Sequence, residues 1–219
     1  MTTNKRETPT TTRRGPKAKG IGRPVGSNRD DTITRILASA LKSFTSKGYA
    51  GTTFRDISKG ADITSAAIYQ YFDSKSTLYG AVLDSIYETL LPRFQEAINS
   101  QPTLKEQMRH LVDTMVELHE KHPDSSAFLT STPIEAQRHP ELKVFFATRN
   151  SDMRSLQKAM FEKARKRGDI DKNWSTNNLL MMFYGSMAGM ATYQLSVEGT
   201  SLREAADIYL TMMESHLFR

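Results

Sequence analysis

From Asp30 onward apolar residues recur at intervals of three and four, and nowhere over a strand's length do they alternate one by one. That spacing places side chains on one face of an α-helix, so the expected fold is all-α with no sheet. A first helix is expected from Asp30 or Asp31, with Ile33, Ile36, Leu37, Ala40, Leu41 and Phe44 as its apolar stripe and Gly48 as its end. Thr52 or Thr53 caps a second, short helix that buries Phe54 and Ile57. Thr64 or Ser65 caps a third, running to about Phe72 with Ile68 and Phe72 inward. Only two or three residues lie between the second and third helices, and a connection that short turns one steeply across the other, as a helix-turn-helix.

The rest reads as long helices. Residues 75–100 carry Leu78, Val82, Ile86, Leu90 and Phe94, with Pro92 as an expected kink. Residues 103–121 form another. Residues 124–130 and 133–139 are expected as short or broken pieces around Pro123, Pro133 and Pro140. A helix over 142–167 closes at Gly168, and helices over 176–196 and 201–217 complete the chain.

Charge is unevenly spread over the 219 residues. Residues 1–29 carry +7 of a formal total of +6, which leaves −1 on everything after them. They hold Thr, Pro, Gly and basic side chains with little apolar bulk to offset the entropy of ordering, so a disordered basic arm is expected there, aimed at an anionic partner. The absence of cysteine excludes disulfides, thiolate metal sites, iron–sulfur clusters and cysteine nucleophiles. With no apolar segment behind the basic N-terminus to act as a secretory signal, a cytoplasmic location is expected. Residues 173–197 are free of charge, but their asparagines and hydroxyls suit a buried helix better than a membrane span. No P-loop, G-x-S-x-G or other catalytic signature is present, so an enzyme is not expected and no cofactor is called for. His119 and His122, with His110 and Glu117, could be offered to a metal, but histidines at a helix end are expected to be solvated, and no metal site is assigned.

The residues Phe44, Gly48, Tyr49, Thr52, Thr53 and Ile57, then Ala61-Asp62-Ile63-Thr64-Ser65-Ala66-Ala67-Ile68-Tyr69-Gln70-Tyr71-Phe72-Asp73-Ser74-Lys75, with Leu78 after them, resemble the N-terminal DNA-binding domain of the TetR family of bacterial regulators. Two positions depart from the family pattern. Asp62 stands where glycine is usual, and aspartate is among the few residues that tolerate a left-handed turn; Ala66 replaces a frequent glycine and stays small. The resemblance implies a helix-turn-helix domain over 30–78, a helical ligand-binding and dimerisation domain over 79–219, and DNA contacts by Thr53, Arg55, Tyr69, Tyr71 and Lys75. The residues themselves point the same way. With Ile68 and Phe72 inward, the third helix offers Thr64, Ser65, Ala66, Ala67, Tyr69 and Gln70 to a major groove, where glutamine pairs bidentately with adenine and alanine methyls meet thymine. Arg23, in Gly22-Arg23-Pro24, resembles the arginine of a minor-groove hook.

The expected activity is that of a ligand-responsive homodimeric repressor of a double-stranded DNA operator, released by a small hydrophobic effector. A constitutive architectural DNA-binding protein without a ligand is the alternative. Flexible thioethers and aromatic rings in the second domain adapt to apolar guests, and Met115, Phe128, Phe146, Met153, Phe183 and Met187 are the candidate pocket. Gly185, Ala188, Gly189 and Thr192 form a small-residue face on which two subunits could approach closely.

Overall fold

The computed structural model describes Met1 and residues 29–216. Among the described residues the regular structure is entirely helical. Helix α1 spans Arg29–Gly51, begins with Asp30 and Asp31, and buries Ile36, Ala40 and Phe44 at the expected spacing. Gly48 interrupts it with φ 70° and ψ 174°, a conformation that glycine adopts without a Cβ clash, and the break turns Tyr49 into the core. Helix α2, Phe54–Gly60, starts at a reciprocal cap: the Thr53 hydroxyl accepts from the Asp56 N–H, and the Asp56 carboxylate accepts from the Thr53 N–H. Asp62 takes the left-handed turn with φ 53°. Helix α3, Ser65–Ile68, follows at once.

Helix α4, Lys75–Asn99, is continuous through Pro92. Its first half packs Leu78, Tyr79, Val82 and Leu83 with Ile36, Ile57 and Ile68; its second half packs Leu90, Phe94 and Ile98 into a separate core. Residues 78 and 79 are therefore neighbours on one helix that serves both cores. Helix α5, Leu104–Lys121, opens with a second reciprocal cap, between Thr103 and Glu106.

Helix α6 runs unbroken over Pro123–Arg138, where two pieces were expected. Pro133 removes only its own N–H, and the helix around it packs on the first core through Phe128, Thr132 and Ala136, all buried. A 3-10 turn at Pro140–Leu142 leads to α7, Lys143–Arg167, which Gly168 ends in a left-handed cap with φ 87°. Helices α8, Thr176–Gln194, and α9, Leu202–His216, complete the fold. No helix among the described residues is long and apolar enough to cross a membrane.

Candidate nucleic-acid interface and ligand cavity

Three buried isoleucines, Ile36, Ile57 and Ile68, hold α1, α2 and α3 together. Side chains of α1 finish the turn: Ser39 donates to the Ile57 carbonyl at 2.8 Å and Arg35 to that of Ala61 at 2.9 Å. The third helix is shorter than the sequence suggests. Regular helix stops at Ile68, and residues 69–72 continue as tight turns, with the N–H of Gln70 on the Ala67 carbonyl and those of Tyr71 and Phe72 on that of Ile68. Phe72 must be buried and Ser74 must cap α4, so the chain has no room for another helical turn.

On the outer side Arg55, Thr64, Ala66, Tyr69 and Gln70 are exposed together. Tyr69 is 59% exposed, with its ring edge-on to Phe54 at 4.8 Å. Thr53 is exposed, but its hydroxyl serves the cap of α2. Ser65 turns sideways to the Ser58 hydroxyl at 2.9 Å, and Ala67 is half-buried, so both are withdrawn from the outward face to which they were assigned. Tyr71 is half-buried, and the Arg29 guanidinium lies 5.8 Å from its ring centre, a neighbour the sequence did not suggest. Arg23 lies outside the described residues.

Lys75, to which the resemblance gives a phosphate contact, is engaged within the chain. Its ammonium donates to the carbonyls of Tyr49 at 2.7 Å, Thr52 at 3.0 Å and Ala50 at 3.4 Å, and stands 4.4 Å from the centre of the Tyr49 ring. Three donors meet three acceptors, so Lys75 ties the start of α4 to the end of α1.

A cavity of about 420 Å³ opens among α4, α5, α6, α7 and α8, within the range of roughly 300–1,000 Å³ usual for small-molecule sites. Met115, Phe146, Met153 and Met187 line it. Phe128 and Phe183 do not. Phe128 is 1% exposed in the first core, 4.5 Å from the Tyr79 ring, and Phe183 is 1% exposed against Tyr184 at 5.4 Å. Periodicity marks both as interior, and cavity and core draw on the same inward faces. The wall also holds polar groups that apolar patterning could not reveal: Tyr87, His119, Arg154, Asn177 and Tyr184. Burial raises the pKa of the Tyr87 phenol. Burial also raises that of Tyr184, whose hydroxyl donates to the buried Gln157 carbonyl oxygen. His119 shares a 3.1 Å hydrogen bond with Ser126, and no group of potential metal ligands occurs among the described residues.

Helix α6 touches both the cavity and the DNA-side core. One face presents Ser126, Leu129, Thr130 and Pro133 to the cavity. The other meets that core: Thr132 shares a 3.0 Å hydrogen bond with the Tyr79 hydroxyl, Phe128 packs on Phe44, and His139, just past the helix end, lies 4.8 Å from Tyr49. Burial raises the Tyr79 phenol to a pKa of about 12, against the opposing pull of its Thr132 bond. On α8, a Cβ built at Gly185 or Gly189 would meet nothing within 4 Å. Thr192 is exposed beside them, its hydroxyl turned back to the Ala188 carbonyl. Ala188 differs from its assignment: it lies on the cavity wall, because its helical position rotates it away from the outer face. Met182 and Tyr193 on α8, and Ile208 and Met212 on α9, are likewise exposed.

The family model "Bacterial regulatory proteins, tetR family" matches residues 36–82, the segment that holds α2, α3 and their supports on α1 and α4. Over 173 residues the chain is 24% identical to the HTH-type transcriptional regulator UidR of Escherichia coli K12, covering 77% of this chain and 86% of that protein. Among solved structures, the regulator FadR of Bacillus subtilis in complex with stearoyl-CoA superposes with a TM-score of 0.72 at 17% identity, over 84% of this chain and 98% of that one. AibR in complex with isovaleryl coenzyme A and operator DNA gives 0.71 at 16% identity, over 83% and 97%. With the helix-turn-helix segment matched by its own model and the full helical fold shared, this chain belongs to the TetR family of DNA-binding transcriptional regulators.

Proposed function

We propose that the protein is a homodimeric repressor that occupies a two-fold operator and leaves it when a small, largely apolar effector fills the cavity. The observation that carries this reading is the double role of α6, which lines the cavity with one face and packs on the DNA-side core with the other. A guest pressing on Leu129 or Pro133 moves the helix that holds Phe44, Tyr49 and Tyr79. Coupling of this kind requires the guest to prefer one arrangement of that contact over the other. FadR and AibR, solved with acyl thioesters of coenzyme A, support an effector in the corresponding domain.

In this reading residues 30–78 form the DNA-binding unit and residues 79–219 the effector and dimerisation unit, with α4 shared between them. Arg55, Thr64, Ala66, Tyr69 and Gln70 face the groove, with Thr53 and Tyr71 at its edge. Because the exposed part of α3 offers no arginine or lysine to guanine, readout leans on A·T pairs. Subunits meet through Gly185, Gly189 and Thr192, joined by Tyr193, Ile208 and Met212, since leaving that much apolar surface in water is unfavourable. The test is an anisotropy titration of the full chain on DNA flanking its own gene, with and without medium-chain acyl compounds. An apolar effector should release the DNA, and Thr132→Val, which cuts the Tyr79 bond, should blunt the release while leaving effector binding intact. If DNA affinity is indifferent to every ligand that binds the cavity, the chain acts as a constitutive DNA-binding protein instead.

A further inference from the structure

Beyond Asn177 the cavity wall becomes the wall of a second, open cleft of about 400 Å³ between the C-terminal half of α7 and the segment leading into α8. The two spaces share that asparagine and differ in character. The first is lined mainly by methionine, leucine and aromatic side chains, with Arg154 among them; the second holds Lys158, Lys172 and Trp174. Lys158 stands one helical turn beyond Arg154 on α7.

The cleft's carboxylate is already committed. Glu162 accepts from the Thr176 hydroxyl at 2.6 Å and from Arg165 at 2.8 Å, while Arg165 also donates to the Trp174 carbonyl at 2.6 Å. That frame fixes the indole's backbone against α7. Arg154, Lys158 and Lys172 take part in none of the hydrogen bonds or ion pairs among the described residues, and with Lys158, Arg165 and Lys172 set against Glu162 alone the lining of the cleft is net positive. Trp174, the chain's single tryptophan, is 39% exposed beside it.

We propose that cavity and cleft form one effector site for a phosphorylated amphiphile. An acyl chain lies among Met153, Tyr184 and Met187, and a phosphate-bearing head, of the kind coenzyme A carries, rests on Lys158 and Lys172 with a flat base against Trp174. This rests on the reading of the cavity as the effector site and adds the chemistry of the head. A bare carboxylate would end at Arg154 and leave the cleft unused. Phosphates suit ammonium groups as point charges, and a purine suits an exposed indole face.

Three probes of equal chain length separate the possibilities on the full-length protein: dodecanoyl-coenzyme A, dodecanoyl lysophosphatidate and dodecanoate, each titrated by calorimetry and by tryptophan fluorescence. The phosphorylated probes should bind at least about tenfold more tightly than dodecanoate. Lys158→Ala with Lys172→Ala should erase that advantage without changing dodecanoate affinity. Quenching of Trp174 by the coenzyme A ester alone assigns the head to a nucleotide thioester; equal affinity for lysophosphatidate, with no quenching, assigns it to a lipid phosphate. Equal affinity for all three probes, or an undiminished advantage in the double variant, overturns the head site and leaves the apolar-effector reading standing. Binding by none of them overturns both.

Discussion

Gln70 and Lys75 sit five positions apart and do opposite things. Gln70 is exposed on the turn that continues α3, free to place its amide against an adenine edge, a pairing worth roughly 1–3 kcal/mol of discrimination. Lys75 spends its donors on carbonyls at the end of α1 and just beyond it, and losing hydrogen bonds of that kind costs about 1.5–3 kcal/mol of stability. Gln70→Ala should therefore keep its melting temperature and relax preference at one operator position. Lys75→Ala should melt earlier, and its DNA binding should fall only as far as the folded fraction does. A randomised-site selection alongside thermal melts checks both; a Lys75→Ala protein of full stability with weak binding would return that residue to the DNA backbone. Asp56 gives the domain an acid limit. Its carboxyl is drawn from an ordinary 3.8 to about 2, first by the hydrogen bond from Lys47 and then by the Thr53 hydroxyl and N–H. The folded-state value is the lower one, so the cap of α2 contributes fully above about pH 4 and is lost as pH falls through about 2. Asp56→Asn should melt earlier than the parent near neutrality and show a shallower loss of Tm between about pH 4 and 2; parallel acid limbs would assign the acid sensitivity to other carboxylates.

At the scale of elements, helices were legible where one face had to be buried and their ends were legible at caps. Thr53 and Thr64 each start a helix with a side-chain oxygen that accepts from the third N–H beyond them, and the glycines at 48 and 168 end or break one as a positive φ requires. Partner-dependent features were not legible. Pro133 read as a break because a proline usually ends a helix, whereas here Phe128 and Ala136 on either side of it are buried against partners far away in sequence. Phe128 and Phe183 carried the same inward periodicity as Met153 and Met187, and whether an inward side chain meets another ring or an empty space depends on helices far away in sequence. Of the small residues assigned to one face of α8, Ala188 turns to the cavity, and a one-residue rotation of that kind is not visible in composition. Gly185 and Gly189 have open space above them, so bulk at Gly189 should cost the isolated subunit little beyond helix propensity. Gly189→Leu should fold and shift the sedimentation equilibrium toward monomer, whereas an unchanged dimer would place the interface away from α8.

Charge at the scale of the whole molecule separates the source of affinity from the source of sequence choice. Residues 1–29 hold +7 and the remainder −1, so a nearly neutral helical body presents a groove-reading surface to a polyanion that its net charge hardly attracts. Arg29, over the Tyr71 ring, marks where the basic segment joins that body, beside the turn that carries Tyr69 and Gln70. Binding of the arm to phosphates releases counterions, and each neutralised phosphate adds about 0.9 to the slope of log affinity against log salt. Removing residues 1–28 deletes seven basic side chains while keeping Arg29, which should flatten that slope by up to roughly 6 per subunit if every one of them meets a phosphate. Gln70, Ala66 and Arg55, proposed above to read the bases, lie outside the deleted segment, so the preferred sequence should persist in the truncated protein at low salt, where affinity is recovered. Titrating full-length and truncated protein on one operator across a salt series, with a site selection on each, checks the division. An unchanged slope with an altered preferred sequence would mean that the arm reads bases in the minor groove and that the helical body supplies the electrostatic grip.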